Sequence, residues 1–285
     1  MGKTLVAGAT GFIGGNLVKL LGEGARCLVR VSSNRAKIEK LKNYGAEILY
    51  GDVRDKQSLK EAVKGVEKVI DLVGIMLGTR KEKVTYLEIQ VEGTRNLVET
   101  SKNENIKKFI YLSALGASPT APTPFWKTKY DAEEILRNSG IPYTIFRPSF
   151  VHGQGDYLVS KQYAKWLKFF HLAPVPKPNA KSQPVYVDDL NKCLIKSLDD
   201  ERTTNKTYEI GGPDRLTLEE FVNSIKEVLG VRAFQIPIPS SLARLAITSE
   251  QLTMLQIDNT CDIEEVEKDF SIRLTPFKEA LKKYL

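Results

Sequence analysis

The sequence contains little cysteine and histidine and no long hydrophobic run. Its 285 residues include three widely separated cysteines and two histidines. Unclustered thiols do not build a disulfide framework, and two histidines without neighbouring cysteines do not make a zinc site. No apolar stretch approaches the roughly 20 residues that cross a bilayer. The first residues also lack the pattern of a secretory signal, so we expect a cytoplasmic protein with reduced thiols.

The charge balance is the one departure from ordinary globular composition. The chain has 42 Lys and Arg residues against 35 Asp and Glu residues, a formal net charge of +7. Hydrophobic residues make up 42% of the chain, which excludes a disordered or collagen-like protein. The positive charge favours anionic partners such as a nucleotide or a membrane surface. We do not expect nucleic-acid binding, because the lysines are dispersed and no binding motif is present.

Short β-rich runs alternate with amphipathic helical patterns through the first half of the chain. The predicted strands cover residues 4–7, 26–30, 47–50, 68–73, 108–112 and 143–146. One buried helix stripe is predicted from the apolar residues Ile13, Leu17, Leu20 and Leu21. Asp55 predicts the cap of another helix. This β-α-β-α order predicts an α/β fold, a doubly wound parallel sheet of the Rossmann type.

A glycine fingerprint joins the first strand to the first helix. Gly8, Gly11 and Gly14 have the spacing G-x-x-G-x-x-G. In this context the three glycines suit a tight turn, close approach to a pyrophosphate, and close packing of helix on strand. We expect the turn, including Thr10, Phe12 and Ile13, to bind a dinucleotide cofactor.

Basic residues follow the second predicted strand. A site for NAD usually has an Asp or Glu about 20 residues after the fingerprint, and no acidic residue lies between 28 and 36. Arg30 and Arg35 can pair with a 2′-phosphate, so the sequence favours NADP(H) over NAD. The alternative is that both arginines are solvated surface charges. Asp52 and Val53 follow the third strand, where Asp52 either contacts the adenine or caps a helix.

The spacing changes after Pro148, where glycines and prolines interrupt the alternation. We expect a dinucleotide-binding domain over residues 1–150, completed by 185–212. The segments 151–184 and 213–285 are expected to form a smaller lobe for a substrate or partner. Within that lobe, Thr217 and Glu220 have capping-box spacing and predict a helix.

Together these motifs resemble the extended or atypical short-chain dehydrogenase/reductase superfamily. The motifs are the fingerprint, Gly51-Asp52-Val53, Leu112-Ser113-Ala114, Lys129, Arg147-Pro148 and Val185-Tyr186-Val187-Asp188-Asp189. Within the superfamily, the segment 113–117 is similar to the NmrA-like group and to the nucleotide-binding accessory subunit of respiratory complex I, alpha-subcomplex subunit nine type. The resemblance implies a Rossmann fold, and it adds Val73, Gly74, Lys129 and Pro148 to the expected cofactor contacts.

The sequence departs from the superfamily at its usual proton donor. Members use Tyr-x-x-x-Lys on one helix face, where the Lys lowers the pKa of the Tyr that protonates a carbonyl. Lys129 matches the Lys, but Phe125 stands in place of the Tyr and has no proton to give. Gln90 replaces the usual Asn of the fourth helix. Ser113 ends a strand, where it either contacts the nicotinamide or a substrate or simply caps the strand end.

A basic aromatic stretch lies in the predicted lobe. The apolar side chains Tyr163, Trp166, Leu167 and Phe170 share one predicted helix face, and the lysines Lys161, Lys165 and Lys168 lie largely off it. The helix is predicted either to pack on the core with its lysines in water, or to face a lipid surface or a partner.

Two hypotheses for function stay open. The first is an NADP(H)-binding protein with little carbonyl reductase activity, acting as a sensor or as an accessory subunit of a complex I type. The second is an NADPH-dependent reductase or an isomerase/epimerase, which uses Lys129 and Ser113 as catalytic residues on an unidentified small apolar substrate. A peripheral contact with a respiratory complex or a membrane is compatible with either hypothesis.

Overall fold

The apolar runs form strands, as the alternation predicted. The computed structural model describes residues 2–75, 85–176, 180–239 and 247–285. In chain order the strands are β1 (Lys3–Ala7), β2 (Ala25–Val29), β3 (Glu47–Tyr50), β4 (Val66–Asp71), β5 (Lys108–Leu112), β6 (Tyr143–Pro148), β7 (Val151–His152), β8 (Leu172–Pro176), β9 (Lys181–Ser182), β10 (Val185–Tyr186), β11 (Lys206–Ile210), β12 (Leu216–Thr217) and β13 (Phe234–Ile238).

Helices connect these strands. They are α1 (Phe12–Leu21), α2 (Arg35–Asn43), α3 (Lys56–Val63), α4 (Gly93–Ser101), α5 (Pro124–Arg137), α6 (Ala164–Phe170), α7 (Val187–Ser197), α8 (Leu218–Leu229), α9 (Ser249–Met254), α10 (Glu264–Phe270) and α11 (Phe277–Leu281). Two π-helical segments, Leu87–Glu92 and Tyr157–Tyr163, lead directly into α4 and α6. Asp55 caps α3 by accepting from the Gln57 N–H, as predicted.

Seven strands form the central sheet, in the order β11-β6-β5-β4-β1-β2-β3. The neighbours from β3 to β6 pair in parallel, which confirms the doubly wound parallel sheet. Both faces of this sheet are covered, as successive residues of β1 show. Leu5 faces a core that includes α3, α4 and α5. Val6 points to the opposite face and is equally buried. The carboxyl ends of these parallel strands therefore share one sheet edge.

The predicted stripe on α1 was wrong at one position. Leu17 is fully buried, but the side chain of Leu20 is exposed. The buried face of α1 is centred on Gly14, Leu17 and Val18. At about 100° per residue, Leu20 lies roughly 120° round the helix from Gly14, so it faces solvent.

Contacts divide the chain into two units. The first contains Met1–Arg147 and Asn191–Tyr208, and the second contains Pro148–Leu190 and Glu209–Leu285. In the second unit β8 pairs in parallel with β13, and α6, α8 and α11 contribute to its apolar core. The predicted capping box of Thr217 and Glu220 begins α8. No helix among the described residues is both long and apolar enough to cross a membrane.

Two adjacent glycines of α1 predict opposite effects on stability. A Cβ on Gly14 would lie 2.4 Å from the Gly8 carbonyl oxygen, whereas one on Gly15 would meet the Ala9 oxygen at 3.7 Å, an ordinary contact. We expect Gly14→Ala to lower the free energy of unfolding by about 1–3 kcal/mol. Gly15→Ala is expected to raise it by up to about 1 kcal/mol, because alanine favours the helix. Urea unfolding measures both, and equal effects would contradict the predicted close packing of α1 on the turn.

Candidate functional site

The glycine turn after β1 presents a bare helix N-terminus. Gly8 has a φ of +85°, which favours glycine, and its carbonyl accepts from the Gly11 N–H at 2.9 Å. Gly11 is the N-cap residue of α1, makes no side-chain cap and is followed by no acidic residue in the first turn. The N–H groups of the first turn are therefore left for an anion, as a phosphate-binding turn requires.

Lys37 adds a positive charge at this turn that the sequence motifs did not predict. Its ammonium donates to the Thr10 carbonyl oxygen at 2.9 Å. Lys37 lies in the first turn of α2, and only the fold brings it to Thr10, which is distant in sequence. Phe12 and Ile13, which begin α1, are half-buried beside the same turn.

The two arginines predicted to select the cofactor lie beyond the end of β2. Arg30 is exposed immediately after the last residue of that strand, and Arg35 is exposed as the first residue of α2. The side chain of Asn34 caps α2. The first turn of this helix contains no acidic residue. The region after β2 is thus basic where an NAD-type site would carry a carboxylate.

Asp52 is held by its neighbour Arg54. The guanidinium donates to both carboxylate oxygens, at 3.0 and 2.7 Å, and these hydrogen bonds hold the pKa of Asp52 below its usual value, with a smaller contribution from the charge of Arg30. The cap of α3 is Asp55, so Asp52 does not serve as that cap. Val53 is buried, and its carbonyl accepts from the side chain of Asn96 at 2.9 Å.

Lys129 is buried where β4 and β5 end. Its Nζ donates to the carbonyl oxygens of Leu112 at 2.8 Å and Val73 at 3.3 Å, and it lies 4.9 Å from the centre of the Tyr111 ring. A Cβ on Gly74 would lie 3.2 Å from the same ammonium. Burial lowers the pKa of Lys129 to about 8, against the opposing charges of Asp71 and Glu133. The ammonium therefore links two strand ends and gives up its proton more readily than an ordinary lysine.

Asp71 is a second residue that the sequence analysis did not single out. Its carboxylate is fully buried and accepts from the Val73 N–H and the Thr94 hydroxyl, each at 2.9 Å. Burial raises its pKa, while these hydrogen bonds and the charge of Lys129 oppose the rise. The only sequence signal was an acidic residue within the otherwise apolar run 69–73.

Ser113 is bound to a buried carboxylate. Its hydroxyl donates to Glu133, which is fully buried and also accepts from Arg147 at 2.7 and 2.9 Å and from Arg137 at 2.9 Å. The side chain of Ser113 is itself buried, so its proton is committed to Glu133. Pro148 is the last residue of β6, directly after Arg147.

Phe125 and Gln90 stand where superfamily members have a Tyr and an Asn, and each makes contacts of its own. Phe125 is buried and its ring packs edge-on against Tyr86, with 5.9 Å between centroids. Gln90 lies in the π-helical segment before α4, donates to the Ile75 carbonyl at 3.0 Å and accepts from the Thr128 hydroxyl at 2.8 Å. These residues order the chain near α5, but neither places an ionisable group beside Lys129.

The structure brings some predicted site residues into direct proximity. Lys129, Val73 and Gly74 meet at the ends of β4 and β5, and the backbone of Gly8 packs against the start of the segment after β4, since a Cβ there would lie 3.2 Å from the Val73 nitrogen. Arg30 and Asp52 lie near enough to interact electrostatically. The Ser113 hydroxyl points toward Glu133.

The chain matches a known protein family over nearly its whole length. A sequence profile described as the NmrA-like family matches residues 1–284. The chain belongs to the NmrA-like family.

Relatives of this NmrA-like chain are known by name. It is 28% identical to the photosystem II assembly factor Ycf39 of Trieres chinensis, over 94% of this chain and 83% of the relative. It is 30% identical to the mitochondrial NADH dehydrogenase [ubiquinone] 1 alpha subcomplex subunit 9 of Arabidopsis thaliana, over 85% of this chain. The match spans 62% of that longer relative.

Solved structures share the fold of this NmrA-like chain. The NADPH-dependent quinone oxidoreductase of Escherichia coli, solved with NADPH, aligns with a TM-score of 0.76 at 20% identity, over 98% of this chain and 99% of the other. Sugar-nucleotide epimerases solved with NAD share the fold as well. At these identities the likeness establishes the fold alone.

The burial of Lys129 predicts a pH dependence of stability. Its pKa is about 8 in the folded protein and 10.5 without burial, so between these values the unfolded chain holds a proton that the native chain has lost. Stability from this residue therefore rises with pH across the window, by at most about 3 kcal/mol at 1.36 kcal/mol per unit. Urea unfolding from pH 7 to 10.5 measures this rise as the difference in slope between the wild type and a variant without the ammonium. The comparison is needed because burial raises the pKa of the Cys27 and Cys261 thiols to about 12, and these groups lower stability with pH in the same window.

The rise should be missing from Lys129→Met. The matched control is Lys127→Met, which removes an exposed lysine from the same helix and should leave the rise intact. The same slope in the wild type and Lys129→Met would show that the Lys129 ammonium is not responsible.

Proposed function

We propose that this NmrA-like chain binds NADP(H) in its first unit. The observation that carries the proposal is the uncapped N-terminus of α1, where Lys37 binds the Thr10 carbonyl. Arg30 and Arg35 are exposed after β2, and no acidic residue lies between that strand and the first turn of α2. The N–H groups of the turn suit the pyrophosphate, and the guanidinium groups suit a 2′-phosphate.

The other predicted contacts complete this proposed site. Asp52 and Val53 follow β3 and would serve the adenine end. Val73 and Gly74 follow β4, the Lys129 ammonium reaches the ends of β4 and β5, and these residues would serve the nicotinamide end. When bound, the nicotinamide ring would supply or accept a hydride. The NADPH-bound quinone oxidoreductase and the NAD-bound epimerases support a nicotinamide dinucleotide on this fold, and they leave NAD as the alternative cofactor.

Competing titrations with NADPH and NADH test the cofactor preference. We expect tighter binding of NADPH, and we expect Arg35→Gln to weaken NADPH on the order of tenfold while changing NADH little, because a charge-assisted bond to the 2′-phosphate is lost. Lys40→Gln is the matched control, since it removes an exposed positive charge from the same helix. Tighter binding of NADH by the wild type would contradict the preference.

We propose that the bound dinucleotide serves sensing or an accessory role rather than carbonyl reduction. Phe125 offers no proton, and the hydroxyl of Ser113 is committed to Glu133. The named relatives are an assembly factor of photosystem II and a subunit of complex I, which supports a role as a nucleotide-holding component of a redox assembly.

One observation favours the second candidate, a reductase or isomerase. Lys129 is a buried amine with a pKa of about 8, so both its protonated and its neutral form are accessible near neutral pH. Such a group can hold or release a proton at Nζ without help from a tyrosine.

Turnover of bound NADPH with carbonyl and quinone acceptors separates the two candidates. The accessory role predicts no NADPH oxidation above background in the wild type, with NADPH affinity retained in Phe125→Tyr because position 125 carries no cofactor contact in the proposal. Loss of a measurable turnover in Lys129→Met, at a nucleotide concentration that saturates the variant, would favour the enzyme instead. Phe125→Trp is the matched control for Phe125→Tyr, because it also alters the packing against Tyr86 but adds no phenolic hydroxyl.

A further inference from the structure

Five large apolar side chains of the second unit are exposed together. They form what we call the aromatic face, Phe169 (75% exposed), Phe170 (66%), Leu172 (40%), Phe234 (78%) and Ile236 (45%). The sequence pattern placed Phe170 on one helix face with Tyr163 and Leu167, and the structure separates Phe170 from them. Tyr163 and Leu167 are buried, but α6 ends at Phe170, where His171 adopts a left-handed conformation and the chain turns into β8.

The pairing of β8 with β13 explains why these side chains share one side. Phe234 is opposite Leu172, and Gln235 is opposite Ala173. Ala173 is fully buried, and Gln235 turns toward α8, where its side chain donates to Asn223 at 2.7 Å. Because successive side chains alternate across a strand, Phe234 and Leu172 point away from α8.

The end of α6 adjoins this outer side. The Phe234 N–H donates to the His171 carbonyl at 2.9 Å, which fixes the start of β13 beside the residue that follows Phe170. Phe169 and Phe170 therefore lie at the same end of the β8–β13 strand pair as Phe234 and Leu172. Exposed apolar side chains in a group of this kind mark an interaction surface rather than the scattered residues of an ordinary exterior.

The charges around the aromatic face have one sign along the chain. Residues 157–187 and 228–249, which contain α6, β8 and β13, include no Asp or Glu. Lys161, Lys165 and Lys168 are exposed on the helical segment, and Arg232 is exposed two residues before Phe234. Glu219 of α8 lies beside Gln235, whose side chain turns away from the aromatic face. A partner that contacts the aromatic face and the exposed lysines would be apolar at its centre and negative where it meets them.

We propose that the aromatic face docks on an anionic lipid bilayer. Phenylalanine and leucine side chains enter the boundary between headgroups and acyl chains, while the lysines meet lipid phosphates. A second copy of this chain fits less well, because a symmetric contact would bring the same lysines of both copies together. The contact is peripheral and is independent of the nucleotide proposed for the first unit.

Vesicle sedimentation with the full chain tests this docking. We expect binding to vesicles of phosphatidylcholine mixed with phosphatidylglycerol at low salt, with loss of binding at high salt and on pure phosphatidylcholine. Lys165→Gln with Lys168→Gln should weaken binding by roughly fivefold per lysine. Phe170→Ser with Phe234→Ser should weaken it by on the order of tenfold or more, because apolar surface no longer enters the bilayer.

Matched variants in the first unit control for charge and hydrophobicity. Lys60→Gln with Lys64→Gln removes two exposed lysines, and Leu20→Ser removes an exposed apolar side chain. Both controls should bind vesicles as the wild type does. Circular dichroism melting of every variant shows whether the fold is retained.

Three outcomes would overturn the proposal. They are no binding to the anionic vesicles, equal binding to neutral vesicles at any salt, and equal loss in the control variants. Light scattering distinguishes the competing occupant: a wild-type dimer that becomes monomeric in Phe170→Ser with Phe234→Ser, without vesicle binding, would assign the face to a second copy.

Discussion

The ammonium of Lys129 is fully buried at the ends of two parallel strands, and that burial constrains the groups around it. A charge in this position must be compensated. The carbonyls of Leu112 and Val73 accept from it, and the carboxylate of Asp71 lies in the same buried cluster, itself held by Val73 and Thr94. The last residues of β4 and β5 and the first half of α5 are thereby joined through polar contacts at the sheet edge where this fold binds ligands.

A second buried network fixes what Ser113 can do. Glu133 has no exposed surface, and two guanidinium groups and the Ser113 hydroxyl satisfy its oxygens. Breaking such a network by removing one partner leaves a buried charge without compensation, which is costly. The hydroxyl that resembles a catalytic serine in the sequence is therefore a donor to a buried carboxylate in the folded protein.

Much of the fold followed from local patterns. The strand runs, the Asp55 cap and the capping box of Thr217 depend on residues close in the chain, so their sequence signals were sufficient. The family resemblance could also be inferred from the sequence, because its motifs are short local patterns at the strand ends. Asp71, Lys37 and Glu133 were missed as site residues, since each acquires its role from a partner that is distant in sequence: Lys129, Thr10 and Ser113.

The sequence by itself determined the parallel sheet, the glycine turn, the basic residues after β2 and the absence of a tyrosine at position 125, because each depends on residue type at a fixed spacing. Only the tertiary structure decided that Lys129 is buried with a lowered pKa and that Phe170 is exposed. Burial is a property of what packs around a side chain. A helical pattern predicts a shared face, but the end of α6 and the pairing of β8 with β13 determine which side chains that face leaves in solvent.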